Sequence, residues 1–292
     1  MPKRYAAIDI GSNAARLLIG EISKENGHPY VKKISYTRLP LRLGEEVFDT
    51  GEISIKKAED FIKTIKAFRL IADIFNVSAI RACATSAMRD ARNSAEIIHQ
   101  IKRSTGIQIE IISGDEEARL IFGTFALLDI ERSKPYLVID VGGGSTEINV
   151  FEHGKRVAAK SFDIGTVRML KDKVDKKCWK EMKLWIKEHV EDNPHLVYAT
   201  GGNINKIHKL LGVKEKAPVT SRAMNQLQAE LEPLSIGQRM DLFQLKPDRA
   251  DVIVHALEIF RFCMNALKCK EMYVPKIGLS DGIIYDLHKM KR

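Results

Sequence analysis

Two short turns of similar sequence are the parts of this chain best suited to bind phosphate. The first reads Asp9-Ile-Gly-Ser-Asn13 and the second Asp140-Val-Gly-Gly-Gly-Ser145. Glycines and small polar residues in a tight turn let backbone N–H groups and hydroxyls surround phosphate oxygens without interference from Cβ atoms. An aspartate at the end of the preceding strand is placed to hold Mg²⁺ against those oxygens, or simply to accept hydrogen bonds from the turn.

The candidate phosphate-binding residues all lie in glycine-containing turns that follow predicted strands. They are Gly11, Ser12 and Asn13 in the first turn, Gly142, Gly143, Gly144 and Ser145 in the second, and Gly201 and Gly202 in a third. The sequence contains no G-x-x-x-x-G-K-[ST], G-x-S-x-G or H-E-x-x-H motif. Because the Gly142–Gly144 turn connects two strands rather than a strand and a helix, it is not a dinucleotide-binding fingerprint either.

The two halves of the chain begin alike, which indicates an internal duplication. Asp9 and Asp140 are 131 residues apart, and the strand-like runs that follow them, 15–21 and 146–152, keep the same offset. Two related strand–turn–strand units imply two similar domains with both turns directed into one cleft.

Patterns typical of strands and helices alternate along the chain and predict an α/β protein whose sheets are covered by helices. The predicted strands are 4–10, 15–22, 30–39, 79–82, 107–112, 136–141, 147–152, 156–161, 196–200 and 271–274, and the main helices are 54–76, 113–129, 248–267 and 280–291. We expect domains at 1–125 and 126–292, with the closing helix, 280–292, as a candidate to pack back on the first.

Composition places the chain among globular proteins. It has 292 residues, of which 45% are hydrophobic and 29% charged, so it can bury a large core. No signal peptide or membrane-spanning run is visible, which predicts a cytoplasmic protein without a membrane partner. The four cysteines are scattered and predict free thiols rather than a disulfide framework or a metal site.

The net charge of +9 suits an anionic partner. A basic surface attracts nucleic acid, nucleotides or inorganic phosphate chains, although lysines on a solvated helix face would give the same count. Aromatic residues are not interleaved with the basic ones, so we expect no specific nucleic-acid binding.

Five motifs in a fixed order resemble those of the exopolyphosphatase and guanosine pentaphosphate phosphohydrolase (Ppx/GppA) family. They are Asp9-x-Gly-Ser-Asn13, Thr85-Ser-Ala-Met-Arg89, Ile112-Ser-Gly-Asp-Glu-Glu-Ala-Arg-Leu120, Ile139-Asp-Val-Gly-Gly-Gly-Ser-Thr-Glu147 and Gly165-Thr-Val-Arg168. The resemblance runs over nearly the whole chain. It implies the short two-domain form of the family, with the duplicated actin-like, ribonuclease H-like ATPase fold (the ASKHA superfamily) around a central cleft.

The resemblance also implies residue roles. Glu117 matches the family's proposed general base, and Arg89 an arginine suited to a bidentate phosphate contact. Asp140 matches the metal-associated aspartate, Asp9 is its counterpart, and Glu147 is a second candidate ligand for the metal or a water. The implied cofactor is Mg²⁺ or another divalent cation.

Two neighbouring glutamates need to be distinguished. Ser113-Gly-Asp-Glu116 fits a capping box, so we expect Glu116 to fold back onto the helix start and Glu117 to point elsewhere. Glu117 could instead only favour the helix dipole, and Arg89 could form a surface salt bridge with Asp90 or Glu96.

The implied reaction is release of terminal phosphate from polyphosphate, with the guanosine pentaphosphate pppGpp as a second candidate substrate. A small-molecule kinase of the same superfamily and a non-catalytic regulator that binds polyphosphate or an alarmone are the alternatives, and a homodimer is left open. Two residues depart from the family pattern. Asn203 stands where a threonine is common, and His255 lies on an apolar helix, where a core histidine is the ordinary interpretation.

Overall fold

A computed structural model describes residues 3–25, 28–125, 127–128, 130, 134–190 and 196–290. The chain divides into two compact units. Unit 1 comprises the residues up to Ile130 together with those from Ile277 onward, and unit 2 extends to Lys276. No helix in these described ranges is long and apolar enough to cross a bilayer.

Strands and helices alternate along the chain, as predicted. The strands are β1 (Tyr5–Ile10), β2 (Ala15–Glu25), β3 (His28–Leu39), β4 (Ala79–Ala84), β5 (Ile109–Ile111), β6 (Tyr136–Val141), β7 (Thr146–Glu152), β8 (Lys155–Phe162), β9 (Leu196–Thr200), β10 (Val219–Thr220) and β11 (Glu271–Met272). The helices are α1 (Leu43–Thr50), α2 (Ile55–Ile74), α3 (Ser86–Asp90), α4 (Ser94–Thr105), α5 (Gly114–Phe125), α6 (Thr166–Leu170), α7 (Lys176–His189), α8 (Gly202–Leu210), α9 (Ser221–Leu231), α10 (Ile236–Phe243), α11 (Pro247–Ala250), α12 (Ile253–Ala266) and α13 (Leu279–Met290).

The sheet of unit 1 has the order β3-β2-β1-β4-β5, and β1, β4 and β5 are parallel. Every residue of β1 is buried, as expected for a strand covered on both faces. Because these three strands run the same way, their carboxyl ends lie at one edge of the sheet.

Helix α13 explains why the last residues belong to unit 1. It packs against β1, β2 and α5. A Cβ on Gly282 would lie 2.2 Å from the carbonyl oxygen of Leu120, so only glycine permits this close approach of α13 to α5. Unit 2 therefore ends at Lys276, and the closing helix belongs to unit 1.

Four charged side chains join α13 to the sheet. Arg81 of β4 donates to Asp286 at 2.7 Å and to Glu116 at 3.2 Å, and Arg119 donates to the same two carboxylates at 3.1 and 2.6 Å. The hydrogen bonds from Arg119 hold the pKa of Glu116 below its ordinary value of 4.5. Burial acts in the opposite direction, and the hydrogen bond from Arg81 adds to the lowering.

In unit 2 the sheet has the order β8-β7-β6-β9, and one face carries the core. Ile139, Ile148 and Ala199 on this face are fully buried against a cluster that includes α7, α8 and α12 residues. Since side chains alternate along a strand, the residues next to these point to the opposite face.

Several predicted elements differ in extent. The predicted helix 248–267 is two helices, α11 and α12, which meet at Asp251 and Val252. The predicted helix 113–129 ends at Phe125, and its last residue, Asp129, lies outside the described residues, as does Lys291 of the closing helix. Helix α1 has no counterpart among the predicted elements.

The first two glycine turns are each held from one side by the start of a helix. This helix is α1, after β3, in unit 1 and α6, after β8, in unit 2. In unit 2, the amides of Thr166 and Val167 donate to the carbonyls of Gly142 and Gly143 at 3.1 and 2.8 Å. A Cβ on Gly165 would stand 2.4–2.5 Å from backbone carbons of Gly144 and Gly143, so glycine is required there.

Unit 1 repeats this arrangement with different residues. The amide of Gly44 donates to the carbonyl of Ser12 at 2.8 Å, and that of Arg42 to the carbonyl of Asn13 at 3.0 Å. A Cβ on Gly44 would lie 2.9 Å from the Cβ of Ser12, so here too glycine permits the close contact.

We expect Gly165→Ala to destabilise the protein by about 1–3 kcal/mol, because the added methyl overlaps backbone atoms that cannot rotate away. Thermal and urea unfolding measure the loss. Gly237→Ala is the matched control: Gly237 lies exposed in α10, and its added Cβ would meet nothing closer than 3.9 Å. The control should unfold at or above the wild-type midpoint, and equal losses in the two variants would contradict the close contact.

We expect Glu116→Gln to lower the free energy of unfolding by about 1–3 kcal/mol at pH 7, because three charge-assisted hydrogen bonds, one from Arg81 and two from Arg119, are weakened. The folded-state pKa of Glu116 is lower than its ordinary 4.5, so this contribution is complete above about pH 4.5 and is lost as the pH falls further. Urea unfolding at several pH values should show the gap between variant and wild type closing in acid. Asp115→Asn, on the same turn but exposed, is the control at pH 7.

Candidate functional site

In unit 1, three motifs that are far apart in sequence meet at one edge of the sheet. Asp9 lies near the carboxyl end of β1, Thr85 follows β4, and Ile112 follows β5. The amide of Thr85 donates to the carbonyl of Ile10 at 3.1 Å, and that of Ile112 to Ala84 at 3.0 Å. The carboxyl ends of parallel strands are where α/β proteins usually bind ligands.

Arg89 is fixed at this edge by the neighbouring motif. It lies on α3, and its Nη1 donates to the carbonyl of Ile112 at 2.8 Å, just before the start of α5. An arginine has five N–H donors in a planar fork, so this anchor orients a guanidinium group that can also bind phosphate.

The two glutamates at the start of α5 have different surroundings. Ser113 Oγ accepts from the amide of Glu116 at 3.2 Å, which is one half of the predicted capping box. The other half was predicted wrongly: the Glu116 carboxylate binds Arg119 and Arg81 instead of the helix start, because two arginines lie within reach. Glu117 is half-buried, and its Oε2 is shielded from solvent.

The turn of unit 1 presents backbone rather than side chains. Ser12 and Asn13 are buried, and Ser12 Oγ lies 3.3 Å from Ser86 Oγ. The N–H and C=O of a trans peptide point in opposite directions. Because the carbonyls of Ser12 and Asn13 face the segment that begins α1, the amides of Asn13 and Ala14 point the other way.

The same geometry in unit 2 aligns three amides. The carbonyls of Gly142 and Gly143 accept from the start of α6, and that of Gly144 accepts from Arg168 Nε at 2.9 Å. The amides of Gly143, Gly144 and Ser145 therefore point away from α6. Successive N–H groups directed to one side form an anion-binding concavity. Ser145 itself is 3% exposed, so the backbone, not its hydroxyl, makes this concavity.

Asp140 and Glu147 lie directly opposite each other on β6 and β7, so their side chains share the face away from the core. Glu147 is buried and accepts a hydrogen bond from Ser161 Oγ on β8 at 2.8 Å. Like charges at opposed positions repel each other, and this arrangement suits a bound cation.

The equivalent position in unit 1 carries the opposite charge. Asp9 is opposite Arg16, and their side chains form a salt bridge at 2.5 Å. Arg16 and Glu147 are related by the same offset as Asp9 and Asp140. The structure thus gives Asp9 an ion-pair partner where we expected a metal, whereas Asp140 faces a second carboxylate.

The third turn brings Gly201 and Asn203 to the end of β6. Gly201 has a φ of +97°, and a Cβ on it would lie 2.5 Å from Asp140 Oδ1. Asn203 Nδ2 donates to the carbonyl of Val141 at 3.2 Å, while its Oδ1 accepts from Arg249 at 2.6 Å. The amide that departs from the family pattern therefore ties this turn to β6 and α11.

Three residues with roles at these turns were missing from the predicted set: Arg16, Ser161 and Arg168. The offset between the halves could have pointed to Arg16, and the Gly165–Arg168 motif to Arg168. Among the described residues, no three His, Cys, Asp or Glu side chains form a metal-binding group. His255 is half-buried, and burial lowers its pKa, as expected for a neutral core histidine.

Comparison with known proteins supports the resemblance. The model of the Ppx/GppA phosphatase family matches residues 22–291. Exopolyphosphatase 1 of Mycobacterium tuberculosis is 26% identical over 302 residues, which covers 96% of this chain and 87% of that protein. The bifunctional 3-dehydroquinate synthase/phosphatase of Fusobacterium nucleatum is 32% identical over 274 residues, covering 85% of this chain and 41% of the bifunctional protein.

Solved structures share the fold over nearly the full length. An exopolyphosphatase from Cytophaga hutchinsonii aligns with a TM-score of 0.83 at 22% identity and covers 99% of this chain and 98% of its own. The Aquifex aeolicus member of the Ppx/GppA family aligns with a TM-score of 0.79 at 24% identity, covering 100% and 99%. These alignments confirm the predicted α/β fold, and with the family match they show that the chain is a phosphatase of the Ppx/GppA family.

Proposed function

We propose that this phosphatase releases terminal phosphate from inorganic polyphosphate with the help of Mg²⁺ or another divalent cation. The observation that carries the proposal is the pair of opposed carboxylates, Asp140 and Glu147, at the turn whose three amides form an anion-binding concavity. A divalent cation and a phosphate chain together satisfy both features. Relatives named as exopolyphosphatases support this choice of substrate.

The residues present fit Mg²⁺. This ion is usually bound by one or two carboxylates, with water and substrate phosphate oxygens completing its coordination. Asp140 and Glu147 would hold it, and the concavity beside them would hold the phosphate. The ion would supply neutralisation of the charge on the phosphate oxygens.

Glu117 is the proposed general base that accepts a proton from the attacking water. Its neighbour Glu116 cannot take this role readily, because two arginines lower its pKa and occupy its oxygens. Arg89, anchored on the carbonyl of Ile112, would orient the phosphate. Phosphoryl transfer depends mainly on such positioning and charge neutralisation.

A cluster of positively charged side chains near the third turn suits the part of a polyanionic substrate that lies beyond its terminal phosphate. Burial lowers the pKa of Lys206, and the neighbouring charges of Lys209 and Arg249 lower it further. Positive charges held this close together repel each other and are stabilised by a chain of negative charges.

The experiment that tests the proposal measures phosphate release from polyphosphates of defined length and from pppGpp, side by side, with Mg²⁺. We expect wild-type protein to hydrolyse polyphosphate and Glu117→Gln to lose about 10²–10⁴-fold in kcat, because the amide cannot accept a proton. Binding of polyphosphate by Glu117→Gln should be retained, since the side-chain shape is kept.

Glu116→Gln is the matched control for this variant and should keep its activity at temperatures where it is folded. Equal activity losses in the two variants would contradict the role of Glu117. Binding without turnover by wild-type protein, or phosphate transfer from ATP to a small acceptor, would contradict the proposed function itself.

We expect Asp140→Asn to raise the Mg²⁺ concentration needed for half-maximal activity, because a carboxylate ligand is replaced by a neutral amide. A Mg²⁺ titration of polyphosphate hydrolysis measures the shift. Asp9→Asn is the control at the equivalent position: it breaks the salt bridge with Arg16 but should leave the Mg²⁺ midpoint unchanged. If Asp140→Asn and wild type have the same Mg²⁺ midpoint, the proposal that Asp140 and Glu147 hold the cation is contradicted.

A further inference from the structure

Thr200 extends the row of polar residues formed by Asp140 and Glu147. It is the last residue of β9 and is in register with Asp140 on the neighbouring strand. Neighbouring strands are about 4.8 Å apart, and residues in register point to the same face. Ala199, the preceding residue, is in the core cluster, so Thr200 shares the opposite face with the two carboxylates.

The hydroxyl of Thr200 is buried and has no hydrogen-bond partner among the described residues. The side chain is 1% exposed. By contrast, the equally buried Thr146 donates to the carbonyl of Ile164 at 2.6 Å. An unsatisfied buried hydroxyl destabilises the folded state, and a valine of the same shape would avoid this cost. Such a group in a folded protein indicates a missing partner, usually water or a ligand.

The carboxylate of Asp140 is turned toward this end of β9. Its Oδ1 lies 2.5 Å from where a Cβ of Gly201 would be, so the glycine after Thr200 leaves the space that the carboxylate occupies. The buried hydroxyl and the carboxylate oxygen are therefore at the same end of the sheet.

Unit 1 has a different residue at the equivalent place. Cys83 of β4 is in register with Asp9, as Thr200 is with Asp140. Burial raises the pKa of the Cys83 thiol to about 12, so it is neutral and a poor hydrogen-bonding group. Asp9, which is paired with Arg16, therefore has a thiol on the neighbouring strand. Asp140, which is opposite Glu147, has a hydroxyl there.

We propose that Thr200 is a positioning residue of the divalent-cation site, whose hydroxyl hydrogen-bonds a water molecule bound to the cation held by Asp140 and Glu147. The inference rests on the cation site of the proposed function. A hydroxyl has one donor and two acceptor positions, so it can accept a hydrogen bond from such a water and still donate its own hydrogen to another acceptor. Outer contacts of this kind commonly change metal affinity by about 10–100-fold.

The test measures Mn²⁺ binding by electron paramagnetic resonance without substrate, with Mg²⁺ as competitor, together with urea unfolding of the metal-free protein. We expect Thr200→Val to bind Mn²⁺ about 10–100-fold more weakly. Its metal-free form should be as stable as wild type or more stable, because an unsatisfied hydroxyl is removed. Thr200→Ser keeps the hydroxyl and should bind Mn²⁺ like wild type.

Thr64→Val is the matched control, because Thr64 is also buried but its hydroxyl donates to the carbonyl of Asp60 at 2.8 Å within α2. This variant should lose stability and keep its Mn²⁺ affinity. Wild-type affinity in Thr200→Val would overturn the inference while the cation site stands. A destabilised Thr200→Val, with binding not restored in Thr200→Ser, would also overturn it. If wild-type protein binds no Mn²⁺, the cation site fails and the inference fails with it.

Discussion

The opposite directions of N–H and C=O in a trans peptide govern both glycine turns. In unit 2 the amides that begin α6 hold the turn's carbonyls, and in unit 1 the segment that begins α1 does the same. Once the carbonyls are held on one side, the amides that follow must point to the other. The result is a rigid group of backbone N–H donors. The constraint explains why glycine is needed at residues 44 and 165, outside the turns themselves, where a Cβ would force the two segments apart.

The duplicated units keep this backbone arrangement and differ in charge. Asp9 is opposite Arg16, whereas Asp140 is opposite Glu147. In unit 1 the charges of the pair cancel, and in unit 2 they add. Two opposed carboxylates repel each other, so the exchange of arginine for glutamate changes an internally neutral pair into one that suits the proposed cation. The same backbone supports both chemistries because the residues that differ lie on the strands and not in the turns.

The start of α5 shows a related division between adjacent residues. Glu116 is engaged by Arg81 and Arg119, which connect it through Asp286 to the closing helix. Glu117, one residue later, is directed elsewhere by the helical rotation of about 100° per residue. The stability of the helix and its proposed chemistry thus use different carboxylates, and each can be changed with little effect on the other.

Residue patterns within a few positions were enough to predict the α/β class and the two turns, and a comparison of the two halves of the chain revealed the common offset. Alternation predicted most strands, and glycine with small polar residues predicted the turns. The motifs also identified Glu117 and Arg89 as candidate site residues. Elements without a strong pattern were missed or misjudged: α1 was not predicted, and one long helix proved to be two.

The long-range partners of the charged residues become visible in the three-dimensional fold and not in the sequence. Asp286 is 205 residues from Arg81, and its ion pair places the closing helix in unit 1. The salt bridge between Asp9 and Arg16, the opposition of Asp140 and Glu147, and the alignment of Thr200 with Asp140 all depend on strand register. Register is set by the packing of whole sheets and the position of each turn, so residue types alone could suggest which groups are chemically able but not which of them stand side by side.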